Sequence, residues 1–342
     1  MTTSTHLGSG TVAWLSAAAV RAILMEIGHR EGASLMGRAY CDHAAGVLRN
    51  PDSLFFKLGE PAEPDRVIAL AASRDGDSPI FGVKWIASVP DNVARGLPRA
   101  SAVMVLNDRK TGRPVAIMDG SWISLARTAW SAAAAAQVLH PRHQLGTLGV
   151  VGAGPLSACV ARALHEAGFR WRDMRVFDLN TIRAAEFSED MTDLGTASAA
   201  RAIDQLDDAE LVVFATSAVD PHVGLLPGWM TGKATLLHLS LRDLQPEALT
   251  ACSNVVDSVR LATSHGTSLG KAVSVDPATH AVELAALLLG RQSLDATRPR
   301  CFSPFGMGML DLVLAAEVLT RAGTRIQWLE GFLDSSPASS LR

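Results

Sequence analysis

Hydrophobic spacing divides the chain into stretches of different period. From Leu15 to Gly37 the apolar residues Val20, Ile23, Leu24, Ile27 and Leu35 fall on one side of a helical period, which predicts a packing helix. The period then shortens to two. Val67–Ala72, Phe81–Ala87, Ala102–Leu106 and Pro114–Met118 read as successive strands. The last two flank a run of turn formers, Asn107 to Gly112, and so predict an antiparallel hairpin. An alanine-rich helix from Ser124 to Leu139 follows, after which strands and helices alternate. Strands are predicted at Thr147–Val151, Met174–Asp178, Leu211–Ala215, Ala234–Ser240 and Asn254–Asp257. A helix over Ala281–Leu289 and a last one opening after Ser303 complete the pattern. Such alternation predicts a parallel, doubly wound α/β sheet. Ligands of these sheets sit outside the carboxyl ends of the strands, which singles out Thr216, Ser217, Arg242 and Asp243.

One junction carries specific chemistry. The apolar run ending at Val151 passes through Gly152, Ala153 and Gly154 into a segment of helical spacing that begins Pro155, Leu156, Ser157. A strand, a tight glycine turn and a helix start leave unpaired backbone N–H groups at the positive end of a helix dipole, a setting for a pyrophosphate. Ser157 stands where a strict dinucleotide fingerprint carries its third glycine. The next strand ends in Asp178, an acceptor for ribose hydroxyls that repels a 2′-phosphate, so NAD is favoured over NADP.

Composition narrows the class. With 342 residues, 48% hydrophobic, 19% charged and a net charge of −3, the chain has room for two domains, and the balance points to neither nucleic acid nor an anionic membrane surface. The N-terminus lacks a basic segment followed by an apolar core, so no signal peptide is expected, and no apolar run is long enough to span a bilayer. The four cysteines are scattered without metal spacing, which suits free thiols in the cytoplasm and predicts no metal.

The order of the motifs resembles the ornithine cyclodeaminase/μ-crystallin family over roughly residues 50 to 325. The segments that carry the resemblance are Gly82–Lys84, the run from Gly96 to Asp108, Thr111–Pro114, Met118–Gly120, Arg127–Ala129, Gly149–Gly154 and Ser303–Gly306. Within the family, Gly82–Ser88, Gly96–Ala102, Leu239–Leu244 and Ser303–Gly308 look most like the branch that forms 2,3-diaminopropionate from N-(2-amino-2-carboxyethyl)-L-glutamate. The resemblance implies a Rossmann NAD-binding domain, residues 128–304, inserted in a strand-rich α+β domain for substrate binding and dimerisation, residues 1–127 completed by 305–342. It implies a cytoplasmic homodimer acting on a small amino-acid substrate that a pyridoxal-phosphate-dependent synthase supplies, for siderophore or peptide biosynthesis. Ornithine cyclodeaminases, ketimine reductases and other amino-acid dehydrogenases share the fold, as do relatives that bind a nicotinamide cofactor without turnover.

The same resemblance implies roles for individual residues. Lys84 would contact a substrate carboxylate and take part in proton transfer; read alone, it is also compatible with a strand whose other face is solvated. Arg127, a fork suited to carboxylates and phosphates, would stand where substrate and cofactor meet, with Thr128 beside it. Arg99 adds a cation where ornithine-type members carry a small hydroxyl residue. Lys57 replaces an arginine that holds the α-carboxylate, a point charge in place of a planar fork. Asp243 is the candidate general base for water, with a helix N-cap as its other reading. Ser303 joins the turn residues, Asp178, Thr216, Ser217 and Arg242 as a cofactor contact. His238 reads as a core histidine, His222 as a loop residue, and Asp311 as an ordinary polar position on the last helix.

Overall fold

The computed structural model describes residues 10–59, 65–218, 220–231, 234–264 and 266–333. The first nine residues and the tail 334–342, expected to fray, lie outside these. The chain divides into two compact units. The first holds residues up to Gly28, Ala45–Ser124 and the segment from Met307; the second holds His29–Ala44 and Leu125–Gly306.

The long helix Ala17–Ala44 changes unit at its own break. Gly28 sits at φ 71° and ψ 165°, outside helical space, so the predicted packing helix is two helices joined at a glycine. Its second part runs to Ala44 rather than stopping at Gly37.

An eight-stranded sheet forms the first unit. Its long strands, Arg66–Arg74, Ile80–Ser88, Ala100–Asp108 and Pro114–Asp119, pair antiparallel in sequence order, and the last two make the predicted hairpin. Shorter strands, which hydropathy did not reveal, extend it: Val12–Leu15 and Gln327–Leu329 at one edge, Leu48–Arg49 and Leu54–Lys57 on the other. The helix Gly308–Arg321 covers one face and buries ten of its residues. Gly308 permits the close approach, because a Cβ there would lie 3.0 Å from Leu70 Cβ and 3.1 Å from the Ala71 carbonyl oxygen.

The second unit is a parallel sheet, also of eight strands. Its first five strands in sequence, Gln144–Val151, Arg170–Phe177, Ala197–Ala199, Leu211–Phe214 and Thr235–His238, stand in the order 3-2-1-4-5 of a Rossmann fold. The order reverses at Gln144–Val151, the strand that feeds the glycine turn. The next position is taken by Arg300–Phe302, a strand not foreseen, which separates Thr235–His238 from Ser253–Val256. Ala281–Leu289 is also corrected: Ala281–Glu283 is a strand on Ser253–Val256, and only Leu284–Leu288 is helical. A short apolar run carries no period that separates the two. In the core of this unit Phe214 and Trp229 meet edge to face at 5.8 Å, and Trp229 Nε1 donates to the Leu206 carbonyl.

Candidate active site

The glycine turn has the geometry its sequence predicts. Gly152 lies at φ +97°, where an added Cβ would stand 2.8 Å from the Ala215 carbonyl oxygen. Pro155 and Leu156 open the helix Pro155–Glu166, with proline at the position where its missing N–H costs nothing. Ser157, in the third-glycine position, is buried and donates its hydroxyl to the Gly152 carbonyl at 2.5 Å, tying the turn to the helix. At Gly154 a Cβ would meet nothing within 4 Å, so the turn leaves open space at the helix start. These features fit a dinucleotide pyrophosphate. Asp178 has a structural task as well: its two oxygens accept from the Ala153 and Asn180 backbone N–H groups, each at 2.8 Å.

Thr216 and Asp243 come together beyond the strand ends of the same unit. Asp243 is wholly buried; Thr216 Oγ1 donates to one carboxylate oxygen at 2.5 Å and the Ser240 hydroxyl donates to the other. Burial raises the Asp243 carboxyl above the ordinary range, against the Thr216 bond and the neighbouring histidines, which lower it. The loop is strained beside it, since Leu241 is a non-glycine residue at φ 67°. Asp243 is not a helix cap; Gln245 precedes the helix Pro246–Thr250. Ser217 is exposed and Arg242 partly so.

A second buried acid, Asp257, has no role in the sequence reading. It follows the strand Ser253–Val256 and accepts from the backbone N–H groups of Ser258, Phe305 and Gly306, holding the Ser303–Gly306 loop. Burial raises its carboxyl; the Gly306, Phe305 and Ser258 backbone bonds oppose this, and after them the Arg127 charge. Arg127 lies against the same loop, since a Cβ on Gly306 would be 3.2 Å from Arg127 Nη1. Its position at the carboxyl end of a parallel strand was the available signal. Ser303 pairs with His238 Nδ1 at 3.1 Å, and His238 is the buried, satisfied histidine expected.

In the first unit Lys84 is 1% exposed, and its neighbour Trp85 is 45% exposed. The strand therefore turns its charge inward and its indole outward, opposite to hydropathic alternation. Lys84 Nζ bonds the Asp311 carboxylate at 2.8 Å and Ser124 Oγ at 3.0 Å. Asp311 is therefore no ordinary polar helix position; it is wholly buried and ion-paired. Lys57 and Arg99 are not gathered around this pair. Lys84 stands opposite Leu70 and Met104 in the ladder, Lys57 opposite Arg66, and Arg99 just ahead of the strand that starts at Ala100. Four residues of strand separate Arg66 from Leu70, about 13 Å. Among the described residues no cluster of three or more potential ligands could hold a metal ion.

One unit is a Rossmann sheet with a glycine turn and the other buries a lysine–aspartate pair, the parts of a nicotinamide-type oxidoreductase. The chain belongs to the ornithine cyclodeaminase/mu-crystallin family, whose model matches residues 57–323. Among its relatives, the N-((2S)-2-amino-2-carboxyethyl)-L-glutamate dehydrogenase of Staphylococcus aureus is 27% identical over 197 residues, 56% of this chain and 58% of that protein. The alanine dehydrogenase of Archaeoglobus fulgidus is 26% identical over 259 residues, 70% of this chain and 76% of that one. The solved Thermococcus litoralis Delta(1)-pyrroline-2-carboxylate reductase, in complex with NADH and L-proline, superposes with a TM-score of 0.81 at 22% identity, covering 91% of this chain and 97% of that one. This last likeness is one of fold.

Proposed function

We propose that the chain is an NAD-dependent enzyme that converts N-(2-amino-2-carboxyethyl)-L-glutamate to 2-oxoglutarate and L-2,3-diaminopropionate by oxidative hydrolysis. The observation that carries the substrate assignment is the similarity to the Staphylococcus aureus dehydrogenase, whose matched segment spans about three-fifths of that protein. Bound NAD would supply a hydride acceptor, held by Gly152, Ala153, Gly154, Pro155 and Leu156 at the pyrophosphate and by Asp178 at the ribose, with Arg127, Thr128, Thr216, Ser217, Arg242 and Ser303 as further contacts.

The chain's own residues then have three tasks. Lys84 is the cation assigned to a substrate carboxylate and Arg127 the fork assigned to another. Lys57 and Arg99, distant from Lys84 along the sheet, keep only the roles the resemblance gives them. Asp243 is the general base, and burial raises its carboxyl above the ordinary range, which makes it a stronger proton acceptor. Because Asp243 is wholly buried, proton exchange with the attacking water runs through the Thr216 and Ser240 hydroxyls that hold its two oxygens.

The enzyme works as a homodimer. Leu54, Phe56 and Trp85 are exposed on one face of the first unit's sheet, an apolar surface suited to a second copy. It works in the cytoplasm, beside a pyridoxal-phosphate-dependent synthase that provides its substrate for siderophore or peptide biosynthesis. One observation favours a second reading, a simpler amino-acid dehydrogenase: the alanine dehydrogenase match covers more of this chain, 70% against 56%.

The test is purified protein with NAD and N-(2-amino-2-carboxyethyl)-L-glutamate, following NADH absorbance. Equimolar NADH, 2-oxoglutarate and diaminopropionate are expected. NADH from L-alanine but not from this substrate would select the second reading, and ammonia release from ornithine without net NADH would make the chain a cyclodeaminase.

A further inference from the structure

His238 ends the strand Thr235–His238, between Leu211–Phe214 and Arg300–Phe302, and is wholly buried. Its ring meets Phe214 edge to face at 6.1 Å. Burying an imidazole is costly unless both ring nitrogens find partners. Here the partners lie past the strand ends, and they come from two different segments.

On one side, Leu244 donates its backbone N–H to Nε2 at 3.5 Å, and Leu244 directly follows Asp243. The opposite edge of that peptide unit is held as well, since the Asp243 carbonyl accepts from the His222 and Val223 N–H groups, each at 2.9 Å. The peptide between Asp243 and Leu244 is thus pinned from both edges. It belongs to the loop in which Leu241 sits at φ 67°, a strain that persists only where surrounding contacts fix it. On the other side, Nδ1 pairs with Ser303 Oγ at 3.1 Å, and Ser303 is itself buried and touches Cys301 Sγ at 3.6 Å. A ring nitrogen that accepts from an amide carries no proton, so the proton sits on Nδ1 and is donated to Ser303. One ring therefore joins the segment of the general base to a cofactor contact. An apolar side chain would fill the same strand position without needing either partner.

We infer that His238 is a positioning residue: through Nε2 it fixes the backbone that aims Asp243, and through Nδ1–H it fixes Ser303 for NAD. The inference rests on the roles proposed above for Asp243 and Ser303.

The experiment separates the two sides of the ring. His238→Asn keeps an amide N–H near the place of Nδ1 and loses the acceptor for Leu244. His238→Gln brings a carbonyl toward the place of Nε2 and loses the donor to Ser303. Parent and variants are titrated with NAD by tryptophan fluorescence and assayed with N-(2-amino-2-carboxyethyl)-L-glutamate across pH. The asparagine variant is expected to bind NAD within about twofold of the parent, while kcat falls at least tenfold and the rising limb of its pH profile moves. The glutamine variant is expected to bind NAD at least fivefold more weakly, with kcat at saturating NAD within about threefold of the parent. ¹⁵N-histidine NMR of the parent, with the His238 ring identified by its shift in Ser303→Ala, is expected to show Nδ1 protonated and Nε2 bare. This reading needs neither histidine variant to fold. The opposite tautomer, no ring shift in Ser303→Ala, or parental NAD affinity in the glutamine variant would overturn the inference. So would histidine variants that differ from the parent in Tm alone. The affinity and NMR readings need no substrate: a parent that binds NAD without turning over this substrate would sink the substrate assignment, and those two readings would still decide the part played by His238.

Discussion

The Lys84 ammonium and the Asp311 carboxylate, 227 residues apart in the chain, meet at 2.8 Å with 1% and 0% of their side chains exposed. Removing one partner from such a pair strands a buried charge, a loss of about 3–5 kcal/mol, whereas replacing both with apolar groups is often neutral or better. Lys84→Ala and Asp311→Asn should therefore each lower the urea midpoint strongly and abolish turnover. Lys84→Met combined with Asp311→Leu should recover most of the stability and none of the activity. Recovery of turnover in the double variant would remove the pair from the mechanism.

Asp243→Asn should separate stability from function. The folded carboxyl is raised above its unfolded value by burial, so its stabilising contribution is present below the unfolded value and lost as pH rises through the folded one. The asparagine variant should consequently melt above the parent at neutral pH while kcat falls about 10²- to 10⁴-fold. In the parent, the rate should climb with pH through a carboxyl range higher than ordinary, and Thr216→Val should lower kcat as well. Melting curves at several pH values and NADH absorbance give both readouts.

Two glycines of the turn should respond differently. Gly152→Ala places a Cβ 2.8 Å from a carbonyl oxygen at φ +97°, and the fold should lose roughly 1–3 kcal/mol. Gly154→Ala meets nothing within 4 Å, so the melting temperature should stay near that of the parent while NAD affinity drops at least tenfold. Tryptophan fluorescence titration with NAD measures the second effect; unchanged affinity would place the pyrophosphate elsewhere.

Asp257→Asn should disorder a loop rather than remove a reacting group. Both its oxygens accept backbone N–H bonds, and an amide leaves one of those donors unsatisfied, about 1–3 kcal/mol. The expected result is a raised KM for NAD with a smaller change in kcat, read from initial rates. An unaltered KM would confine Asp257 to stability.

Phe56→Lys with Trp85→Lys tests the exposed apolar surface, since the two rings touch on one face of the sheet. Sedimentation should report a monomer for the variant and a dimer for the parent, because charge on that face makes its burial unfavourable.

Some of this was readable in the chain because it is local. The glycine turn, its proline-led helix and the hairpin around Asn107–Gly112 are set by residues within a few positions of one another, and all three stand as expected. His238 was also legible, since a histidine inside an apolar strand must satisfy its ring within the core. The strands Leu54–Lys57 and Arg300–Phe302 were not, because four or three residues carry too little period to register.

The sequence by itself determined the main alternation of strands and helices, the parallel character of the second sheet and the glycine turn. Only the tertiary structure decided what the buried charges meet. Hydropathy would have left Lys84 on a wet face and Asp311 at a polar helix position; packing of Gly308–Arg321 on the antiparallel sheet buries both and makes each the other's counter-charge. Asp257 acquired its task because Arg300–Phe302 inserts beside its strand and delivers the Ser303–Gly306 loop to its carboxylate. The reason is common to both cases. A buried charge is tolerable only where a partner waits, and the partner here is set by which distant strand or helix packs alongside.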